Sequence, residues 1–126
     1  MRVPEAATRL FVYGTLMPGG ARWPALRPYA TAWEPATAPG RLWDTGRGYP
    51  AVRFDPDGGP IRGFLVAIAP ELAVDAIAVL DVIEAEGVLY RRVEVVTSAG
   101  PAFGYEWLGS TEGLAGLADG WPCPPG

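Results

Sequence analysis

Hydrophobic and polar positions along this chain fall mostly into short runs of strand length. Residues 9–13, Arg-Leu-Phe-Val-Tyr, are β-branched and aromatic and end at Gly14, which predicts a buried strand entering a tight loop over 14–20. Pro24, Pro28 and Pro35, with Trp23 and Trp33, predict irregular packing over 21–38, and a strand follows near 37–43. A glycine-rich turn (44–48) leads to a strand around 51–54, a hairpin turn at 55–60 and a returning strand over 61–68. Pro70 and Glu71 open the one convincing helix, with Leu72, Ala76, Leu80 and Ile83 on one face and Gly87 where a C-terminal cap belongs. Strands over 90–97 and 102–108, separated by a Ser-Ala-Gly-Pro turn, complete the set, and the glycine- and proline-rich residues 112–126 read as a loosely packed tail. Six or seven strands around one main helix make an α+β fold, its sheet curled into a small mixed β-barrel that hides the edges. Strand order does not follow from the pattern.

Composition narrows the chemistry more than the fold. At 126 residues and 13.4 kDa the chain is expected to be one domain, 1–126, with its core at about 9–109 and the tail at 110–126. It contains no His, Lys, Asn or Gln, and all 10 basic residues are arginines. Imidazole-dependent nucleophilic triads, Schiff-base lysines, the phosphate-binding P-loop and the common zinc sites are therefore excluded within this chain. Asp, Glu, Tyr or a bound group must carry any proton.

Cys123 stands alone, so no intrachain disulfide forms and a reducing, cytoplasmic setting is expected. With no His or Lys to lower its pKa, its thiol is not expected to be a nucleophile. A net charge of −4 and scattered arginines argue against nucleic acid or an anionic membrane as partner. No apolar run has the length of a membrane span, and residues 1–9 lack the apolar region of a signal peptide.

Three features carry candidate chemistry. At Tyr13-Gly14-Thr15-Leu16 the glycine lets backbone N–H groups gather around a carboxylate or an oxyanion; a plain glycine turn after a buried strand has the same letters. Near the helix end, Asp81 and Glu84 share a face and Glu86 follows, where the helix dipole, the like-charged neighbour and burial all disfavour ionisation. Such an acidic end is either functional or a solvated surface turn. Third, Phe103, Tyr105 and Trp107 fall on one face of the last strand and Glu106 on the other, either as core or with the Tyr105 hydroxyl on a ligand.

Taken in order, Phe11-Val12-Tyr13-Gly14-Thr15-Leu16 with Pro18-Gly19, Gly48-Tyr49-Pro50-Ala51, Leu80-Asp81-x-x-Glu84, Tyr90-x-Arg92 and Ala102-Phe103-x-Tyr105-x-Trp107 resemble the γ-glutamylcyclotransferase-like superfamily. The resemblance runs from about residue 9 to 109 and is strongest to the short bacterial and γ-glutamylamine cyclotransferase branch. It implies a small mixed barrel and a cofactor-independent, metal-free lyase of the amide type, formerly grouped with acyltransferases. The α-amine of a γ-glutamyl compound attacks its own γ-carbonyl and releases 5-oxoproline. Glu84 is implied as the catalytic acid/base, and Tyr13, Gly14, Thr15, Leu16, Tyr49, Tyr90 and Tyr105 as substrate-binding residues. Glu86 fits less well, and Ala85 departs from the pattern where glycine often follows the catalytic glutamate.

The leaving group is open among an amino acid, a lysine-type amine and the cap of a secondary metabolite; the tryptophans favour a partly apolar one. The expected partner is this small γ-glutamyl substrate, bound by a monomer or homodimer. The competing reading is a non-catalytic module that holds a small carboxylate-bearing ligand in the same pocket.

Overall fold

Strand β1 (Arg9–Val12) runs through the middle of the sheet, with β4 (Gly59–Ile68) antiparallel on one side and β6 (Gly100–Trp107) parallel on the other. The computed structural model describes residues 8–118, 120 and 121. Around β1 the order is β3-β2-β4-β1-β6-β5, with β2 spanning Ala30–Asp44, β3 Pro50–Phe54 and β5 Tyr90–Thr97. All pairings besides β1 with β6 are antiparallel. The two ends of this order approach each other and nearly close a barrel. Ser98, at the tip of the β5–β6 hairpin, donates its N–H to Thr37 O at 2.8 Å, and Thr37 N–H returns to Ser98 Oγ at 2.9 Å. Phe54 N–H donates to Glu106 Oε2 at 3.1 Å. These bonds satisfy edge groups that an open sheet leaves to solvent.

Strand alternation divides the interior into two cores. Leu10 and Val12 face the helices with Leu16, Leu26, Ala73, Ala76, Leu80 and Trp107, whereas Phe11 and Tyr13 face the barrel interior with Val52, Ile61, Leu65 and Val95. Burial of Phe11, 1% exposed, contributes about 2–3 kcal/mol. The main helix, α2 (Ala73–Ile83), follows a 3₁₀ turn over Pro70–Leu72. Its buried positions are Ala73, Ala76 and Leu80, and two alanines allow close approach to the sheet. A second, four-residue helix, α1 (Trp23–Leu26), with a 3₁₀ turn over Arg27–Tyr29, occupies part of the region expected to be irregular. No helix among the described residues is long and apolar enough to cross a membrane.

Three expectations are corrected. Strand β2 begins at Ala30, not near residue 37, although it contains Pro35 and Pro39. The Thr37 N–H points away from β4, toward Ser98. Pro35 and Pro39 lie two residues to either side, so their missing N–H groups fall on that same outer side and cost the β2–β4 ladder nothing. Next, the tail is not loose as far as residue 121. β7 (Ala115–Gly116) pairs with Trp43 and Asp44 of β2, Leu117 N–H donates to Leu42 O at 2.8 Å, and Trp121 packs against both cores. Cys123 lies outside the described residues.

Finally, Gly87 is not the cap of α2. The helix ends at Ile83, and Ala85 takes the left-handed position with φ 49°. The N–H of Glu86 bonds Asp81 O at 2.9 Å and that of Ala85 bonds Val82 O at 3.2 Å, the paired bonds of a Schellman terminus. Gly87, with φ 85°, serves the next turn, its N–H on Tyr90 O at 2.7 Å.

Candidate active site

Where β1 leaves the sheet, Gly14–Met17 form a turn closed by Met17 N–H on Gly14 O at 3.0 Å, and Thr15 O accepts Arg22 N–H at 2.8 Å. Thr15 and Leu16 are the central residues of that turn, and their N–H groups have no acceptor among the described residues. Across from this loop, the Schellman terminus of α2 delivers Glu84. Between them lies a narrow pocket that opens to solvent. It is lined by Tyr13, Gly14, Thr15 and Leu16 from the loop, Glu84 from the helix end, Tyr49 and Pro50 from the start of β3, and Tyr90 and Tyr105 from β5 and β6. Every residue assigned to the site from sequence thus borders one cavity, although the chain positions span 13 to 105.

Glu84 is 9% exposed, and its carboxylate takes neither a hydrogen bond nor an ion pair from the described residues. Burial raises its pKa from 4.5 to about 7, against the downward pull of Arg22. Asp81, expected from its spacing to disfavour ionisation of Glu84, is not among the causes of this shift. Asp81 instead turns away: its Oδ1 accepts the Tyr105 hydroxyl at 2.7 Å and its Oδ2 pairs with the Arg92 guanidinium. Glu86 is exposed, accepts Arg92 N–H at 3.1 Å and is not among the pocket residues.

Three of the four pocket tyrosines have committed their protons to protein acceptors. Tyr13 donates to Tyr105 O at 2.5 Å, Tyr90 to Pro50 O, and Tyr105 to Asp81. Toward the cavity these oxygens offer lone pairs only. Burial raises all three pKa values, and the hydrogen bond to Asp81 further raises that of Tyr105, so the phenols stay protonated at neutral pH. Glu84, raised to about 7, titrates near neutrality. Tyr49, Tyr90 and Trp107 pack ring to ring, with Tyr90 and Trp107 centroids 5.3 Å apart, and fix the aromatic wall.

Sequence reasoning missed Arg22, the cation that borders the pocket. Its Nη1 donates to Ile83 O at 3.2 Å, so an arginine from another element serves the C-terminal end of α2, whose last turn has no basic residue of its own. Among scattered arginines nothing distinguished it; the fold of the 14–22 loop brings it in. Among the described residues no three Cys, Asp or Glu side chains group closely enough to hold a metal ion.

The chain is similar in structure to an AIG2-like protein from Mus musculus, with a TM-score of 0.68 at 16% identity over 87% of this chain and 85% of that one. A uropathogenic E. coli-specific protein gives 0.67 at 21% identity, over 87% of each chain. An uncharacterized protein from Pyrococcus horikoshii gives 0.61 at 22% identity, over 87% of this chain and 85% of that one. At such identities these likenesses establish the fold. No curated protein sequence matches the chain significantly. The model of the family described as gamma-glutamyl cyclotransferase, AIG2-like, matches residues 10–121, and with the barrel and its loop-to-helix pocket this places the chain in that family.

Proposed function

We propose that the protein is a γ-glutamyl cyclotransferase with Glu84 as its acid/base. The observation that carries this reading is a carboxylate on a largely buried residue, with no protein partner among the described residues, opening on the same narrow pocket as the unbonded N–H groups of Thr15 and Leu16. The α-ammonium of a γ-glutamyl compound must lose a proton before it can attack, and ionised Glu84 accepts it. The amine nitrogen then bonds the γ-carbonyl carbon and gives up a second proton, the bond from that carbon to the leaving nitrogen breaks, and with Glu84 as the relay both protons pass to the departing amine, which leaves as its ammonium. The nucleophile is part of the substrate, so holding it folded supplies much of the rate by proximity. The lone pairs of the tyrosine oxygens suit the substrate's ammonium. The N–H groups of Thr15 and Leu16 suit an anionic oxygen, either the α-carboxylate or the developing oxyanion.

The test is release of 5-oxoproline from a panel of γ-glutamyl amino acids, γ-glutamyl-ε-lysine and γ-glutamyl alkylamines, beside Glu84→Gln with its fold checked by thermal unfolding. The expected result is turnover by wild type and a loss of at least about 100-fold in the folded variant. Wild type that releases no 5-oxoproline from any of them overturns the reading in favour of a carboxylate-binding module.

A further inference from the structure

Four tyrosines and one arginine border the pocket beside Glu84, and none of them hydrogen-bonds its carboxylate. Three of the tyrosines stand near enough for the Glu84 charge to help raise their pKa values. A phenol that donates to a carboxylate favours its ionised form and weakens it as a base. Here each of those three protons has gone elsewhere. Tyr13 and Tyr90 give theirs to the main-chain oxygens of Tyr105 and Pro50, which the sheet holds in place. Tyr105 differs, because its proton goes to a side chain, Asp81 Oδ1, at 2.7 Å. Asp81 Oδ2 pairs with the Arg92 guanidinium, so residue 81 acts as a carboxylate with acceptors only, and the phenol has to be the donor.

We propose that Asp81 is a positioning residue: by holding the Tyr105 proton it keeps that hydroxyl from donating to Glu84, and so leaves Glu84 able to take a proton from the substrate. The second half of this assignment rests on the cyclotransferase reading; the first concerns the protein alone. Asp81 is three positions before Glu84 at the end of α2, and Tyr105 both lines the Glu84 pocket and bonds Asp81. Two carboxylates therefore compete for one donor. Arg92 decides the outcome by occupying Oδ2 and leaving Oδ1 to accept from Tyr105. The remaining charged and titratable groups around Glu84 are set without Asp81. Arg22, from the loop after β1, has its Nη1 on Ile83 O, and Tyr49, just before β3, makes no hydrogen bond through its hydroxyl among the described residues. Glu86 is exposed and accepts the Arg92 backbone N–H.

The experiment follows the protonation of Glu84 in wild type, Asp81→Asn, Tyr105→Phe and the double variant. Its readout is the carboxyl stretch in infrared spectra from which the matching Glu84→Gln protein is subtracted, so it needs no turnover. In Asp81→Asn the amide oxygen turns to Arg92 and the amide N–H groups face Tyr105, whose hydroxyl becomes an acceptor with its proton free for Glu84. The Glu84 midpoint, about 7 in wild type, is expected to fall by about one pH unit in this variant. It is expected to stay at the wild-type value in Tyr105→Phe and to return there in the double variant. The acidic limb of the kcat/KM profile for a γ-glutamyl substrate moves with it. Asp81→Ala also frees the phenol; it is expected to reproduce the shift and stands in where Asp81→Asn fails to fold, as judged by thermal unfolding. An unchanged midpoint in the folded Asp81 variant overturns the assignment. So does a fall that persists when Tyr105 is Phe, since loss of the Asp81 charge alone gives that result. Wild type that turns over no γ-glutamyl compound sinks the cyclotransferase reading, and the infrared midpoints then still decide whether Asp81 withholds the Tyr105 proton.

Discussion

Gly14 lies so close to Pro50 that a β-carbon built on it would stand 2.7 Å from Pro50 Cγ and 2.9 Å from Pro50 Cδ. The loop wall and the β3 wall of the pocket therefore touch at a point where no side chain fits. Pro50 is poorly able to yield, since its ring is rigid and its carbonyl holds the Tyr90 hydroxyl. Gly14→Ala is expected to destabilise the protein by about 1–3 kcal/mol and to displace the turn that carries Thr15 and Leu16. Gly59→Ala, with open space around its β-carbon, is the matched control. Urea unfolding of both variants checks this, and equal stabilities would contradict the contact.

Ala85 occupies a glycine's backbone conformation. At φ 49° its β-carbon crowds its own carbonyl, at a cost of about 1–2 kcal/mol relative to a right-handed residue. Ala85→Gly should therefore raise stability by about 1 kcal/mol without changing the Schellman bonds that present Glu84. A higher urea midpoint with an unchanged slope is the expected result. A lower midpoint would mean that Ala85 has another conformation.

Glu84 should make stability fall as pH rises. Its folded pKa, about 7, lies above its ordinary value of 4.5, so the folded state holds the extra proton between those limits. The resulting stabilisation is fully present below pH 4.5 and is lost as pH climbs through 7, about 3 kcal/mol in all. Glu84→Gln stays neutral, and its stability relative to wild type is expected to grow by about that amount between about pH 4 and pH 8. Unfolding curves of both proteins across this window check it, since other groups cancel in the difference. A difference that does not change with pH would show that Glu84 is not desolvated.

Much of the barrel was legible because its strands carry their own signal. Arg9–Val12, Pro50–Phe54 and Tyr90–Thr97 are rich in β-branched and aromatic residues and bounded by turn formers, and they form close to where the pattern places them. The first half of β2 was not legible, because proline normally argues against a strand and its tolerance depends on which side the missing N–H faces. Ala115 and Gly116 were equally silent, since a two-residue ladder is stabilised by Leu117 and Trp121 finding cores built elsewhere. In the site, the loop and the acidic helix end were visible as local words. The partners of Asp81 and the approach of Arg22 to Ile83, 61 positions apart, are tertiary facts that no local pattern encodes.

The central placement of β1 bears on the order in which the molecule is assembled. This strand has two neighbours, and the parallel one, β6, is made some 90 residues later: Leu10 is in register with Phe103. During synthesis the loop that follows β1 emerges early, but one of its flanking walls does not exist until the last long strand has left the ribosome. The wall of the pocket that is translated first is thus locked last, and a chain stalled before β6 carries the recognition motif without a binding site. Such non-local closure is slow relative to helix formation, and until it occurs β1 exposes an apolar edge that favours aggregation.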